Sequence, residues 1–195
     1  MAPVGIPPRR TLVWWAIGAI AAVLVVCIGG TRLRIRDDPR VTTPGGGNFA
    51  PAGIGYLDVP PGRPYSVGGL PICVDSPGRA VIDGVDSIDP SGGLKIDAFG
   101  VAPQRVSFSN DNRPLTTHGA EHGFDVTGPA IVDTYCGKGH VWLLLQYSKT
   151  TNETARNKGI TVRYTSRGRH HSAEFGWEIL LCAPADRWGD CRHDS

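Results

Sequence analysis

The sequence predicts a mainly β protein: a single immunoglobulin- or fibronectin-like β-sandwich preceded by one N-terminal transmembrane helix and a flexible linker. Three observations lead to this prediction. One long apolar run lies near the N-terminus, a glycine-rich stretch follows it, and short apolar runs then alternate with clusters of Gly, Pro, Asp and Asn. Beyond the first run no helical period is sustained, so strands are expected. A small closed barrel is the alternative arrangement.

Residues 1–10 form a short basic tail, and residues 11–30 are the predicted transmembrane helix. The segment 11–28 has no charged side chain, and half of its residues are Leu, Ile or Val. At about 1.5 Å per residue it spans roughly 27 Å, close to the ~30 Å hydrocarbon layer of a membrane. Trp14 and Trp15 lie near its boundary, where amphipathic rings prefer to be. A cleaved or lipidated signal sequence is the alternative, although no A-x-A cleavage motif follows the run.

Residues 31–53 are the predicted linker, because Arg, Pro and a run of three glycines cannot bury a core. Two features of the sequence give opposite indications of the side of the membrane on which the C-terminal domain lies. Two arginines precede the helix and four follow it, which alone would place the C-terminal domain in the cytoplasm. Four cysteines beyond the helix instead favour an oxidising compartment. We therefore expect a single-pass protein of the cell membrane whose C-terminal domain is extracytoplasmic.

The charge distribution gives no support to nucleic-acid binding. The whole chain has a formal net charge of +2. Residues 1–48 carry six Arg and two Asp, a net of +4, which leaves −2 for residues 49–195. The basic character therefore belongs to the membrane flanks, and we expect no nucleic-acid partner.

The domain at 54–195 is predicted to contain eight strands. Their ranges are 69–74, 79–88, 94–101, 105–109, 130–136, 140–148, 159–166 and 171–182. Residues 160–164 alternate between apolar and polar side chains, so this strand has one solvated face. Residues 141–145 are apolar throughout, which predicts a central strand buried on both sides. Residues 166–169 form a predicted hairpin turn in which Gly168 supplies a positive φ.

Four cysteines lie in the predicted domain: Cys73, Cys136, Cys182 and Cys191. No C-x-x-C spacing occurs, which disfavours a zinc or redox motif and favours disulfides. Four cysteines allow three pairings, and the sequence does not choose among them. We take Cys73–Cys136 with Cys182–Cys191 as the prediction. Cys27, inside the apolar run, is expected to be a small apolar filler.

Several stretches of the domain resemble a known group of proteins. The stretches are PICVD at 71–75, VIDGV at 81–85, GGLKIDAF at 92–99 and GITVRY at 159–164, with the ending at Cys182. Together they look like small membrane-anchored extracellular β-domain proteins of high-GC Gram-positive bacteria, over residues 70–182. The excess of sixteen Arg over four Lys is consistent with that origin. The resemblance implies location and fold, and it implies no catalytic chemistry.

The residues HGAEH at 118–122 match H-x-x-E-H, the inverted signature of certain zinc proteases. That chemistry requires a helix, because residues four apart then share one face and offer two imidazoles to a metal. Gly119 and Gly123 surround the motif and Pro114 lies upstream, which disfavours a helix. The sequence therefore predicts a polar surface loop.

A copper or zinc site in that loop is the alternative interpretation. His118 and His122 would be its principal ligands. His140 or Asp125 would be natural additional ligands, and Asp111 a weaker one. A second histidine-containing segment, RGRHH at 167–171, is predicted to be a solvated hairpin tip, with contact to an anionic partner or lipid head group as the alternative.

No catalytic motif is assembled in the sequence: G-x-S-x-G, a phosphate-binding glycine loop and GxGxxG after a strand are all missing. We therefore expect a non-catalytic, membrane-tethered extracellular β-sandwich used for binding or envelope organisation. Its expected partners are the membrane, through one span, and an unidentified protein or envelope component. No cofactor is expected. The alternatives are the metal-handling module and an envelope enzyme of unrecognised type.

Overall fold

The strands that the sequence predicts are largely present in the structure, which is a computed structural model. The described residues are 37–46, 52–186 and 191. They contain eleven β-strands and one α-helix, all within a unit that spans residues 38–195. The expectation of a mainly β protein is confirmed. The segment 11–28 lies outside the described residues, and within them no helix is long and apolar enough to cross a bilayer.

The elements follow one another with short connections except between β5 and β6, where the helix lies. The elements are β1 (Val41–Thr42), β2 (Ala52–Tyr56), β3 (Tyr65–Val74), β4 (Ala80–Ile88), β5 (Leu94–Pro103), α1 (Leu115–His122), β6 (Ala130–Val132), β7 (Val141–Lys149), β8 (Ala155–Asn157), β9 (Gly159–Ser166), β10 (Arg169–Phe175) and β11 (Trp177–Leu181).

The strands form three sheets, with the orders β1-β3-β7-β5, β10-β9-β4-β6 and β2-β11-β8. The described pairs are antiparallel except β2 with β11. Two sheets were expected from the sequence. The third arises because the run predicted as one strand at 171–182 is divided at Gly176. Phe175 pairs with β9, whereas Trp177 pairs with β2, so the chain changes sheet at this point.

Seven of the eight predicted strands overlap observed strands, and the prediction for 105–109 is wrong. A turn at Gln104 and Arg105 ends β5, and the Val106 amide donates to the Pro103 carbonyl over 2.9 Å. Val106 and Phe108 then pack against a cluster of apolar side chains and make no strand pairing. The alternation of apolar side chains at 105–109 therefore reflects packing against this cluster and not a strand, because the turn has already directed the chain away from the sheet.

Two strands lie wholly or partly in the range assigned to the linker. In β1, Val41 pairs with Val74 and Thr42 pairs with Cys73. Strand β2 begins at Ala52, two residues before the predicted domain boundary at residue 54. Folded structure therefore starts earlier than the composition indicates.

Strand β7 lies between β3 and β5 and is buried on both faces, as the sequence predicts. Leu143, Leu145 and Tyr147 belong to the main hydrophobic core. Leu144, on the opposite face, packs in a second cluster with Ala102 of β5. Side chains alternate between the faces of a strand, so this sheet has apolar surface to cover on both sides.

The second face is covered by residues 104–129, which we call the cap segment. Leu115 and Phe124 of this segment pack on Leu144, and Val126 packs against the same cluster. Close approach is possible because β3 has Gly68 at the contact: an added Cβ there would overlap the Phe108 ring. The cap segment is therefore seated on the sheet by apolar contacts and includes the only helix of the described residues.

The structure contains both disulfides, in the predicted pairing: Cys73–Cys136 and Cys182–Cys191. The first closes a sequence separation of 63 residues and joins β3 to the chain after β6. The second closes a separation of 9 residues after β11. In the chain-entropy account the longer loop contributes about 4 kcal/mol and the shorter one roughly 2.5 kcal/mol.

Candidate functional site

The motif at 118–122 lies on a helix, so the prediction of a surface loop is wrong. Helix α1 runs from Leu115 to His122. Pro114 occupies the N-cap and Gly123 the C-cap. Gly123 has a left-handed φ of 72°, and its backbone N–H donates a hydrogen bond to the Gly119 carbonyl over 2.9 Å. Proline before a first turn and glycine after a last turn are ordinary helix boundaries. Two of the three residues that argued against a helix, Pro114 and Gly123, instead define its ends, and the third, Gly119, lies inside it.

The start of α1 is fixed to the sheet beneath it by polar bonds. The Leu115 amide donates to the Gln146 side-chain oxygen of β7 over 2.9 Å. The Ser66 hydroxyl of β3 donates to the Arg113 carbonyl over 2.6 Å, and the backbones of Ser66 and Asp111 form an isolated bridge. Leu115 itself is completely buried. These bonds give the short helix a defined position that an isolated helix of this length would lack.

His118 is completely buried, and one of its two ring nitrogens has a partner. Nε2 lies 2.8 Å from Oδ1 of Asp111. Nδ1 is buried and has no hydrogen-bond partner among the described residues. The Phe108 ring packs against the imidazole, with 4.5 Å between ring centroids. A buried ring nitrogen without a partner is uncommon and needs an explanation.

Asp111 is held by Arg113 as well as by His118. The Arg113 amide donates to Oδ1 over 2.9 Å, and Arg113 Nε donates to Oδ2 over 2.8 Å. Burial acts to raise the pKa of Asp111, but these bonds and the one from His118 outweigh it and lower the pKa below its ordinary value. Asp111 is therefore a carboxylate and can only accept, so Nε2 of His118 is the donor of this bond, and in a neutral ring the lone pair then lies on Nδ1.

The outer face of α1 carries Glu121 and His122, both exposed. Both carboxylate oxygens of Glu121 accept from Arg113 Nη1, over 2.8 and 3.0 Å. The His122 ring stacks nearly parallel to the His118 ring, with 6.2 Å between centroids. One ligand atom each from His118, Glu121 and His122 lie within 4.8 Å of one another. The helix thus brings together two imidazoles and a carboxylate.

The other predicted metal ligands lie outside this group. His140 packs edge-on against Trp142, with 4.5 Å between ring centroids. Asp125 accepts from the amide and the hydroxyl of Thr127, and these bonds lower the pKa of its carboxyl. Asp111 contacts Nε2 of His118 over 2.8 Å and is not part of the three-residue group. Of the candidate ligands named from the sequence, the helix therefore brings His118 and His122 together. Sequence reasoning did not name Glu121 as a third candidate ligand, or Arg113 as the residue that bonds it.

The histidine-containing hairpin tip is less basic than its sequence indicates. Arg167 and Gly168 form the turn with φ values of 48° and 75°, and Gly168 has the expected positive φ. Arg169 Nη1 lies 3.3 Å from Asp38, and His171 Nε2 lies 3.5 Å from the same carboxylate. Nearby acidic groups therefore offset part of the charge that an anionic partner would need.

Lys149 is a buried polar residue that the sequence analysis did not single out. Its side chain is completely buried at the end of β7. Nζ donates to the Glu153 carbonyl over 2.8 Å and to the Cys182 carbonyl over 3.3 Å. Burial lowers the pKa of its ammonium group, while Asp186 acts in the opposite direction. These bonds tie the turn after β7 to the end of β11, which is a structural role.

Comparisons with known proteins leave the family open. No protein-family model and no curated protein matches the chain. Among solved structures, the VesB protease of Vibrio cholerae is similar over 75% of this chain and 32% of its own, at 7% identity and a TM-score of 0.34. The collagen adhesin of S. aureus is similar over 64% of this chain and 40% of its own, at 10% identity and a TM-score of 0.20. The collagen binding domain of the Erysipelothrix rhusiopathiae surface protein RspB is similar over 65% and 41%, at 10% identity and a TM-score of 0.15. The chain spans about a third to two fifths of these structures, and the likenesses are too distant to identify a shared function.

Proposed function

We propose that this chain is a membrane-tethered, extracytoplasmic β domain, of sandwich type, which binds a protein of the cell envelope through its cap segment and does not catalyse a reaction. One observation carries the proposal. The cap segment is fixed to the sheet through buried contacts, and it presents an exposed polar face. Binding residues are commonly placed on irregular segments that a rigid sheet positions.

The exposed part of the cap segment has a composition suited to protein contact. Its exposed side chains include Gln104, Arg105, Ser107, Ser109, Asn110, Asn112, Thr116, Glu121, His122 and Thr127. Most are small, uncharged and able to donate or accept hydrogen bonds, which is typical of adaptable binding surfaces. Trp142 and Phe108 line a depression beside them, together with Gly68 and Gly69. Partly buried aromatic rings next to adaptable polar groups supply the anchors such surfaces use.

The extracytoplasmic location is supported by two features of different kinds. The disulfides Cys73–Cys136 and Cys182–Cys191 are of the sort that persists in oxidising compartments. The apolar run at 11–28 has the length and composition of a membrane span. The arginines around that run, two before it and four after it, favour the opposite orientation by their excess on the C-terminal side. The disulfides are given more weight because long domains translocate largely regardless of charge.

The location is tested by thiol labelling of intact cells with a membrane-impermeant maleimide. We expect no labelling of the four domain cysteines before reduction, and labelling of all four after mild reduction and denaturation. Four thiols that react in freshly lysed, unreduced cells would contradict both the disulfides and the location. Because Cys27 lies in the apolar run, its replacement by alanine removes the one background thiol.

The binding surface is tested by placing a photo-crosslinking amino acid at Asn112 in the cap segment. The matched control is Ser172, which is exposed on the edge strand β10 in a different sheet. We expect irradiation of cells to yield a discrete adduct from Asn112 and none from Ser172. Equal adducts from both positions, or no adduct from Asn112 and its exposed neighbour Thr116, would refute the assignment of the cap segment as the binding surface.

A further inference from the structure

We infer that His118, His122 and Glu121 form a binding site for a divalent transition metal of the zinc type, with Asp111 as the residue that orients the first histidine. Such a site does not depend on the proposed partner binding. The inference rests on the orientation of one buried ring, on the spacing of two histidines along α1, and on the open side of the group.

The orientation of His118 is the first step. Asp111 accepts from Nε2, so the lone pair of the neutral ring lies on Nδ1. That nitrogen is buried, has no partner among the described residues, and belongs to a side chain with no exposed surface. A carboxylate on the far nitrogen of a histidine is the usual second-shell arrangement around a bound metal, because it fixes the ring and raises its basicity. A histidine that served only in the core would have both nitrogens satisfied more often than not.

The position of His122 is the second step. Residues four apart on a helix lie on the same face, one above the other. The two rings are parallel to within 7°, and the donor atoms of His118, His122 and Glu121 are at most 4.8 Å apart. A point equidistant from three atoms at that spacing lies about 2.8 Å from each, against the 2.0–2.2 Å of zinc bonds to nitrogen and oxygen. Small rotations of the two exposed side chains close this difference, whereas the buried His118 can stay in place.

The third step concerns Glu121 and its partner Arg113. Arg113 bonds both Glu121 oxygens and also one oxygen of Asp111. Its positive charge lies between the two carboxylates and offsets their mutual repulsion, and its bonds hold Glu121 in place beside the histidines. The Arg113 side chain is 42% exposed, so its Nη1 can turn to solvent when a cation takes its place at Glu121. Two neutral imidazoles and one carboxylate are a donor set that Zn²⁺ accepts.

One side of the group formed by His118, Glu121 and His122 is open to solvent, and this determines what kind of metal site it can be. Glu121 and His122 are exposed, so a fourth position is accessible to water or to a donor from another molecule. Structural zinc sites are closed by four protein ligands, whereas sites with three protein ligands retain an accessible position. The site is therefore one that can bind an external donor group, rather than one that holds the fold together.

The test is isothermal titration of Zn²⁺ into the full chain, purified without a tag in detergent and with Cys27 alkylated. We expect one saturable site per chain. His122→Ala is expected to weaken binding at least tenfold, and Asp111→Asn by about 10–100-fold, the usual effect of removing a second-shell carboxylate. His170→Ala is the matched control, because His170 is also an exposed histidine but lies at the hairpin tip. It is expected to leave the affinity within twofold.

Three results would overturn the inference: no saturable heat with the unmodified chain, an unchanged affinity in His122→Ala, or an equal loss in His170→Ala. The far-ultraviolet circular dichroism of each variant verifies that it is folded. Nitrogen-15 NMR of the histidine rings shows which ring nitrogen binds the metal, which the affinity alone does not show. Zn²⁺ should shift Nδ1 of His118 while Nε2 keeps its proton, and coordination through Nε2 would contradict the proposed geometry.

Discussion

Replacing Gly68 with alanine tests how the cap segment is seated on the sheet. An added Cβ at this position would overlap the Phe108 ring and approach Cδ2 of Leu144 to 2.9 Å. The ring must then move outward, because Leu144 is completely buried and belongs to the sheet itself. Forcing an extra methyl group into a packed contact costs about 1–3 kcal/mol. Partial loss of Phe108 burial is of the same order, since full burial of such a side chain contributes roughly 1.5–3 kcal/mol.

The matched control is Gly53→Ala, also in a strand. Its added Cβ would meet nothing closer than 3.8 Å, at the Glu178 side chain. We expect this variant to change the free energy of unfolding by less than about 1 kcal/mol, with a small gain from the reduced entropy of the unfolded chain. Urea unfolding of both variants, followed by circular dichroism, gives the comparison. At about 2–4 °C of Tm per kcal/mol for a domain of this size, thermal melts give an independent value.

We also expect Gly68→Ala to destabilise the cap segment more than the rest of the domain. Hydrogen exchange of the amides in 104–129 should accelerate, whereas exchange in β4 and β9, in another sheet, should change little. Equal stability of Gly68→Ala and Gly53→Ala would refute the reasoning. So would a uniform acceleration of exchange across all three sheets, because the contact would then not be specific to the cap segment.

Three further predictions concern bonds elsewhere in the domain. Replacing both Cys73 and Cys136 with alanine should lower the free energy of unfolding by about 3–4 kcal/mol, measured by urea titration against the oxidised unmodified protein. Reduction of the unmodified protein should lower it further, because reduction also opens Cys182–Cys191, and equal losses would contradict this. Asn157→Ala should cost about 2–4 kcal/mol in the same assay, because its buried amide bonds the Ile179 nitrogen and a backbone carbonyl, both over 2.7 Å, and a Tm within 2 °C of the unmodified protein would contradict this. The lowered pKa of Asp111 means that it stabilises the fold above the ordinary carboxyl pKa near 3.8, and that this stabilisation is lost as the pH falls through the lower folded value. Asp111→Asn should therefore flatten the pH dependence of Tm below about pH 4. If Tm of this variant falls with pH as steeply as in the unmodified protein, other carboxylates cause the loss of stability in acid.

The strands were predictable where a long apolar or alternating pattern is paired along its length. Residues 159–166 and 141–145 meet that condition, and both predictions are confirmed. Strands β1 and β8 have two and three residues, too few for any periodic signal. Their pairing is instead decided by neighbours far away in the chain, such as Val74 for Val41. Long-range partners of this kind have no local trace in the sequence.

The histidine helix was missed for a different reason. Glycine and proline have opposite meanings inside a helix and at its ends. Pro114 and Gly123 lie on either side of the eight helix residues, and such positions fit helix boundaries as well as helix breakers. The apolar stripe of so short a helix consists of Leu115 and the buried His118 face, and no periodicity could reveal it. The signal that was available is the upstream D-x-R at 111–113, whose charges complement the histidine and glutamate that follow.

The parallel pairing of β2 with β11 has a consequence for how the chain folds. Ala52 pairs with Trp177, so these partners are separated by 177 − 52 = 125 positions in sequence. Contacts of such separation form late, because the entropy of closing the loop must be overcome before they contribute. During synthesis the third sheet cannot close until almost the whole domain has emerged. A chain that ends before Trp177 leaves β2 without its partner, and an unpaired strand edge is a template for aggregation.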